Sequence, residues 1–227
     1  MIKYAQKFHP SSQSVQAYYA GRYTQHLSGA NREYTMHLNP KRMSGSWDDG
    51  YTLDLHICSS EFVGYNEYGH PQFESTRTEL GEMLYRLKYK GDQSVIVPIA
   101  QAACDFVRKW NLDIDVIVPT PPSKTRSVQP LFQIADELGK LLSRPVDKTS
   151  VQKSKATPEL KNVDYAKRLA LVGGAHSIQG DALQGRRILL LDDLYQTGAT
   201  LNAIARLLKE AGGATAVFAL ALTRARS

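Results

Sequence analysis

Ile188–Thr200 reads ILLLDDLYQTGAT. Four consecutive apolar residues predict a strand buried on both faces, as in a parallel sheet. The run ends in two adjacent carboxylates, Asp192 and Asp193, and passes into a short polar turn around Gly198. So dry a strand does not tolerate unpaired acids, so both must face an open crevice or find donors. Beyond the turn, TLNAIARLLKEAGG (200–213) has helical spacing and stops at a glycine pair, and TAVFALALT (215–223) is another buried strand. In open α/β sheets, ligands sit beyond the carboxyl ends of the strands, which is where these acids fall. A helix start offers unpaired N–H groups and a positive dipole end, both suited to phosphate. Gly198 allows close backbone approach, and Thr197 and Thr200 add hydroxyl donors. Phosphate at one end and vicinal hydroxyls at the other describe ribose 5-phosphate.

Upstream, TRTELGEMLYRLKY sets Leu80, Met83, Leu84 and Leu87 at helical spacing, with Thr76 or Thr78 as cap and Lys90–Asp92 as terminus. Val95–Trp110 predicts a second helix, with Pro98 near its first turn. DIDVIVPTPP (113–122) is a β-branched run halted by prolines, so a strand ends near Val118. Pro130–Leu142 predicts an amphipathic helix opened by proline, and Pro145–Lys153 a short strand. Lys153–Gly180 is polar and broken, and a long mobile loop with some local structure is expected there. The first 45 residues show no sustained period, whereas GYTLDLHIC (50–58) alternates as a half-buried strand does. Gly64, Gly69 and Pro71 punctuate the next stretch. The expected class is α/β: an open parallel sheet flanked by helices over residues 76–227, with a small strand-containing N-terminal subdomain over residues 1–75. Nothing in that subdomain has catalytic spacing, and His56 and His70 read as structural residues.

Composition narrows the field further. With 42% hydrophobic and 22% charged residues, the chain is an ordinary globular one, and no apolar run is long enough to span a bilayer. The first residues lack the apolar core of a secretory signal, so a cytoplasmic location is expected. Cys58 and Cys104 are not spaced as a metal clip or redox motif and read as two small buried hydrophobes. The net charge of +6 comes mainly from residues 81–180, with 15 basic and 10 acidic side chains. That excess suits a polyphosphate; without a dense basic run interleaved with aromatics, a nucleic acid is the less favoured partner.

ILLLDDLYQTGAT resembles the phosphoribosyl-pyrophosphate (PRPP) motif of type I phosphoribosyltransferases, usually four apolar residues, an acid pair, two apolar residues and Thr-Thr-Gly-Ala-Thr. LKYKGD (87–92), VPTPPSKTR (118–126) and RLALVGGAH (168–176) are similar to segments of the ComF family in the same order. The resemblance runs from Arg77 to Thr223. It departs from the pattern at Gln196, where Thr is usual, and at Tyr195, where an aliphatic residue is usual. SVQP (127–130) also stands for Gly-Phe-Asn-Gln, and Leu171 and His176 stand for Asn and Phe.

The resemblance implies a type I phosphoribosyltransferase fold. It also implies phosphoribosyl transfer from PRPP to an unidentified acceptor, with release of pyrophosphate. Asp192 and Asp193 would hold the ribose hydroxyls and share Mg²⁺ with the substrate, and Lys124 and Arg126 would meet the pyrophosphate. Leu194, Tyr195, Gln196, Thr197, Gly198, Ala199 and Thr200 would form the 5-phosphate loop. Lys153, Lys155 and Arg168 would close over the site. No Cys-x-x-Cys is present, so the zinc ribbon of many relatives is not expected, and neither cysteine is placed to serve a glutamine-hydrolysing domain. The N-terminal subdomain is the natural hood over the acceptor, and a homodimer is what many relatives form. Two alternatives are a PRPP- or nucleotide-binding module without transfer activity, to which Gln196 points, and a ComF-like role in DNA handling.

Overall fold

The computed structural model describes residues 36–122, 128–153 and 175–226. Strands β1 (Lys41–Arg42), β2 (Asp49–Leu55), β3 (Ile57–Tyr65) and β4 (Pro71–Arg77) precede helix α1 (Glu79–Tyr85). A π-helical turn (Arg86–Lys90) and a 3-10 turn (Gln93–Val95) lead on to α2 (Ile96–Trp110). After these come β5 (Val116–Pro119), α3 (Pro130–Leu142), β6 (Val151–Lys153), β7 (His176–Ile178), β8 (Arg187–Tyr195), α4 (Ala199–Glu210) and β9 (Ala216–Arg224).

The main sheet has the order β1-β2-β9-β8-β5. The last four strands run parallel, and β1 adds to β2 antiparallel. Period-two alternation divides the strand residues between two cores. Leu189, Leu191, Leu220 and Leu222 face α1, α2 and α3; Ile188, Leu190, Ala219 and Ala221 face Leu201, Ile204 and Leu208 of α4. All four apolar residues that open the motif are 0% exposed, as a doubly covered strand requires. Truncating one of these leucines to alanine costs about 2–5 kcal/mol.

Two expectations from sequence are revised, for Gly50–Cys58 and for Cys58. Gly50–Cys58 is not one half-buried strand: β2 stops at Leu55 and is buried on both faces, because Tyr51 and Leu53 join the helix-covered core while Trp47 lies over Gly50 on the other side. Its polar side chains find partners there. Arg224 Nη1 donates to Thr52 Oγ1 (3.1 Å), the Leu55 N–H donates to Asp54 Oδ1 (2.7 Å), and Trp110 Nε1 donates to Asp49 Oδ2 (3.0 Å). Trp47, on the other side of β2, donates from Nε1 to Met43 O (3.2 Å). Although β2 lies upstream of residue 76, it shares its sheet with β5, β8 and β9; the β3–β4 hairpin makes a sheet of its own. Cys104 is buried, but Cys58 sits exposed on that hairpin. Within the expected loop after Lys153, His176–Ile178 pairs antiparallel with β6.

Close contacts set the remaining geometry. Thr78 caps α1 by accepting from the Gly81 N–H (3.0 Å), and a Cβ at Gly81 would overlap the His56 carbonyl. This brings the root of the hairpin against α1. At the amino end of the sheet, Arg187 donates through Nη2 to Asp115 (2.8 Å), through its N–H to the same carboxylate (2.8 Å), and through Nη1 to Asp113. The guanidinium holds the Asp115 carboxyl down at about 2.

Candidate functional site

At the other end of the sheet, β5 and β9 treat β8 differently. Pairing with β5 stops at Pro119↔Leu191, whereas pairing with β9 continues to Tyr195↔Arg224. Asp192 and Asp193 therefore lie one step past the end of β5, at an opening on one side of a continuing strand. Leu194 and Tyr195 belong to that strand, so the turn is shorter than its sequence suggests: Gln196 to Gly198, with α4 starting at Ala199.

Each acid has its own partners. Asp192 Oδ1 accepts from Thr120 Oγ1 and from the Asp193 N–H, both at 2.9 Å. Burial, followed by repulsion from Asp193, pushes the Asp192 carboxyl up to about 7. Asp193 Oδ2 lies 2.6 Å from Lys88 Nζ, a residue of the π-helical turn. Thr223 Oγ1 donates to the Asp193 carbonyl (2.9 Å) and lies 3.2 Å from His56 Nδ1. Since the threonine proton is committed to that carbonyl, the imidazole Nδ1 is the donor in the second contact. Burial, then Lys88 and Arg77, lowers the His56 pKa and favours the neutral ring.

Gly198 has φ 73° and is the N-cap of α4, with no side-chain capping bond. Left-handed backbone suits glycine, and a Cβ there would come within 2.8 Å of the Tyr195 ring. The first N–H groups of α4 are thus left for an external acceptor. Asn202 steadies the turn: its Nδ2 donates to Gly198 O (2.9 Å) while its Oδ1 accepts from the Ser46 N–H (2.8 Å). Gln196 is exposed, Thr197 and Thr200 are half-buried, and Gly198 and Ala199 are buried.

Asp192 and Asp193 end up in the last part of β8 with Leu194 and Tyr195, and Gln196–Gly198 link them to the start of α4 at Ala199 and Thr200. Lys124, Arg126, Lys155 and Arg168 lie outside the described residues. Lys153 ends β6, in the separate pair with β7. Sequence reasoning missed Thr120, Lys88, His56 and Thr223. The LKYKGD and VPTPP segments were the available signal for the first two, but nothing local marked the others.

Among the described residues there is no group of three or more His, Cys, Asp or Glu side chains that could hold a metal. The donor set is a carboxylate pair in which Asp192 is crowded by its neighbour. That fits Mg²⁺ only in the mode where one or two carboxylates share the ion with substrate phosphates. A cavity of 490 Å³ lined by Leu87, Lys88, Gly91, Gln93, Pro130 and Gln133 adjoins the acids through Lys88. No helix among the described residues is long and apolar enough to cross a membrane.

A family model described as a phosphoribosyl transferase domain matches residues 98–227, more than half of the chain. Competence protein ComFC of Bacillus subtilis (strain 168) is 32% identical over 144 residues, covering 63% of this chain and 59% of that protein. The chain therefore spans under two thirds of that relative's length. Among solved structures, glutamine PRPP amidotransferase from B. subtilis, complexed with ADP and GMP, matches 69% of this chain and 34% of its own, at 17% identity and TM-score 0.44. Adenine phosphoribosyl transferase from Trypanosoma brucei, in complex with AMP, pyrophosphate and ribose-5-phosphate, matches 78% and 83%, at 14% identity and TM-score 0.44.

Proposed function

Because the chain belongs to the phosphoribosyl transferase domain family, we propose that it transfers the phosphoribosyl group of PRPP to an acceptor and releases pyrophosphate. The observation that carries this reading is the carboxylate pair one step beyond β5, set directly before a glycine-opened helix start. Asp192 and Asp193 hold the ribose hydroxyls, and the loop Gln196–Thr200 receives the 5-phosphate on the N–H groups of α4. In the reaction the bond from the anomeric carbon to pyrophosphate oxygen breaks, and a bond from that carbon to the acceptor forms. Positive charge develops on the ribose meanwhile, and the two acids below it stabilise that charge. Asp192 and Asp193 would hold Mg²⁺ together with the substrate, and the ion would supply positive charge to the leaving oxygens. On this reading Lys124 and Arg126 meet the pyrophosphate and Arg168 also binds the substrate.

Lys88 and Thr120 are positioning residues. Thr120 fixes the orientation of Asp192, and Lys88 balances Asp193. The hairpin β3–β4 is the hood: it leaves the sheet at His56, beside Thr223 and Asp193, and carries exposed Phe62 in ring contact with exposed Tyr65 and Phe73. A second reading, binding without transfer, is favoured by Gln196 standing exposed in the phosphate loop.

Calorimetric titration with PRPP and Mg²⁺, on the wild type and on Asp192→Asn/Asp193→Asn, tests the site. Saturable binding that the variant loses supports it; absence of wild-type binding to a folded protein sinks it. An acceptor screen for pyrophosphate release then separates transfer from mere binding.

A further inference from the structure

We propose that the chain holds a second anion site, distinct from the phosphate loop, that takes a small phosphate- or carboxylate-bearing molecule. It is a cavity of 320 Å³ between β1 and the ends of β8 and β9, lined among others by Lys41, Arg42, Thr52, Tyr195, Gln196 and Arg224. That volume is at the small end of ligand pockets. Three cationic residues line it, from two strands far apart in sequence.

The carboxylates facing these cations are Asp49 and Asp54. Asp49 takes Arg42, with Nε to Oδ1 at 2.7 Å. Asp54 is buried on β2 and attracts Arg224 at longer range. Lys41 makes no ion pair among the described residues. Arg224 is the anchor of the pocket. Its Nη1 donates to Asn39 O (2.9 Å) and Thr52 Oγ1 (3.1 Å), so two neutral oxygens fix a guanidinium that is half-buried yet permanently charged. A desolvated cation held by neutral acceptors gains most from an incoming anion, because charge-assisted hydrogen bonds are the strong ones. Thr52 adds a buried hydroxyl to the wall. The opposite wall is Tyr195 and Gln196, the two positions where the motif departs from its usual form. Gln196 thus belongs both to the phosphate loop and to this cavity, and its longer amide can reach a second anion that a threonine would not.

This inference stands independently of the transfer reading. Both are tested by backbone-amide chemical-shift titrations on the isotope-labelled full chain. Inorganic phosphate and succinate are added in turn, against sodium chloride at matched ionic strength, with and without saturating PRPP and Mg²⁺. The expected result is a saturable shift at Lys41–Ser44 and Arg224–Ala225 that persists once the Thr197–Thr200 amides are saturated by PRPP. It should weaken by about tenfold or more in Lys41→Ser/Arg42→Ser. Arg224→Gln serves as a second variant, and the core amides report whether each remains folded. Saturation by phosphate alone assigns a phosphoryl ligand, and by succinate alone a carboxylate. Shifts confined to the loop, shifts reproduced by chloride, or shifts untouched in both variants overturn the proposal. Pocket shifts without any PRPP response leave this site standing and sink the transfer reading; the reverse pattern does the opposite.

Discussion

The two ends of β8 meet carboxylates in opposite circumstances. At the amino end, Asp113 and Asp115 meet a single arginine, and Asp115 sits far below the usual carboxylate range. At the carboxyl end, Asp192 is half-buried beside another acid and sits far above that range. One strand thus separates a matched clamp from a mismatched pair. The clamp is satisfied inside the fold and closes the bottom of the sheet. The pair is only partly satisfied, and further relief has to come from outside. Mismatch at a strand end, in a crevice, is what a binding site looks like physically.

Four changes would break or sharpen that contrast. Asp192→Asn/Asp193→Asn should weaken PRPP–Mg²⁺ binding on the order of 100-fold, since charge-assisted hydrogen bonds are removed at two positions. The same protein should melt no lower than the wild type, because a crowded ion has been neutralised; calorimetry and a thermal scan read both. Gly198→Ala forces a side chain into left-handed backbone against the Tyr195 ring, and should lower PRPP affinity by about tenfold. Lys88→Met removes a cation competing for Asp193, so the Mg²⁺ concentration needed for half-maximal PRPP binding should fall several-fold. Asp115→Asn should have the smallest effect, lowering Tm at neutral pH by roughly 2–4 °C. Its sign with pH is fixed. The folded pKa is depressed, so the contribution of Asp115 is complete above its ordinary value of 3.8 and disappears as pH falls through about 2. Melting curves of wild type and variant should therefore converge in acid.

How much of this could be read from sequence depends on how local the cause is. The strand ILLLDD, the proline-opened helix Pro130–Leu142 and the cap at Thr78 are local, and the structure places them as their residues imply. The place of β2 was not legible. Its alternation suggests one wet face, yet pairing with β9, more than 160 residues away in the chain, sets it inside the sheet, where Trp47 covers Gly50 and Thr52 and Asp54 are buried. The hairpin β3–β4 showed only its turn residues, because its aromatic side chains point into solvent rather than into a core. At the site, the acids and the glycine turn announced themselves through adjacency and spacing. Thr120, Lys88, His56 and Thr223 did not, since each comes from a different element and gains meaning only beside Asp192 or Asp193.

Both tryptophans of the chain flank β2. Trp110 is bonded to Asp49 on one side, and Trp47 lies over Gly50 on the other. Intrinsic fluorescence is therefore an optical gauge of β2: its emission shifts red when that strand peels from β9. A denaturant series followed at this wavelength and by far-ultraviolet dichroism would show whether β2 frays before the sheet melts.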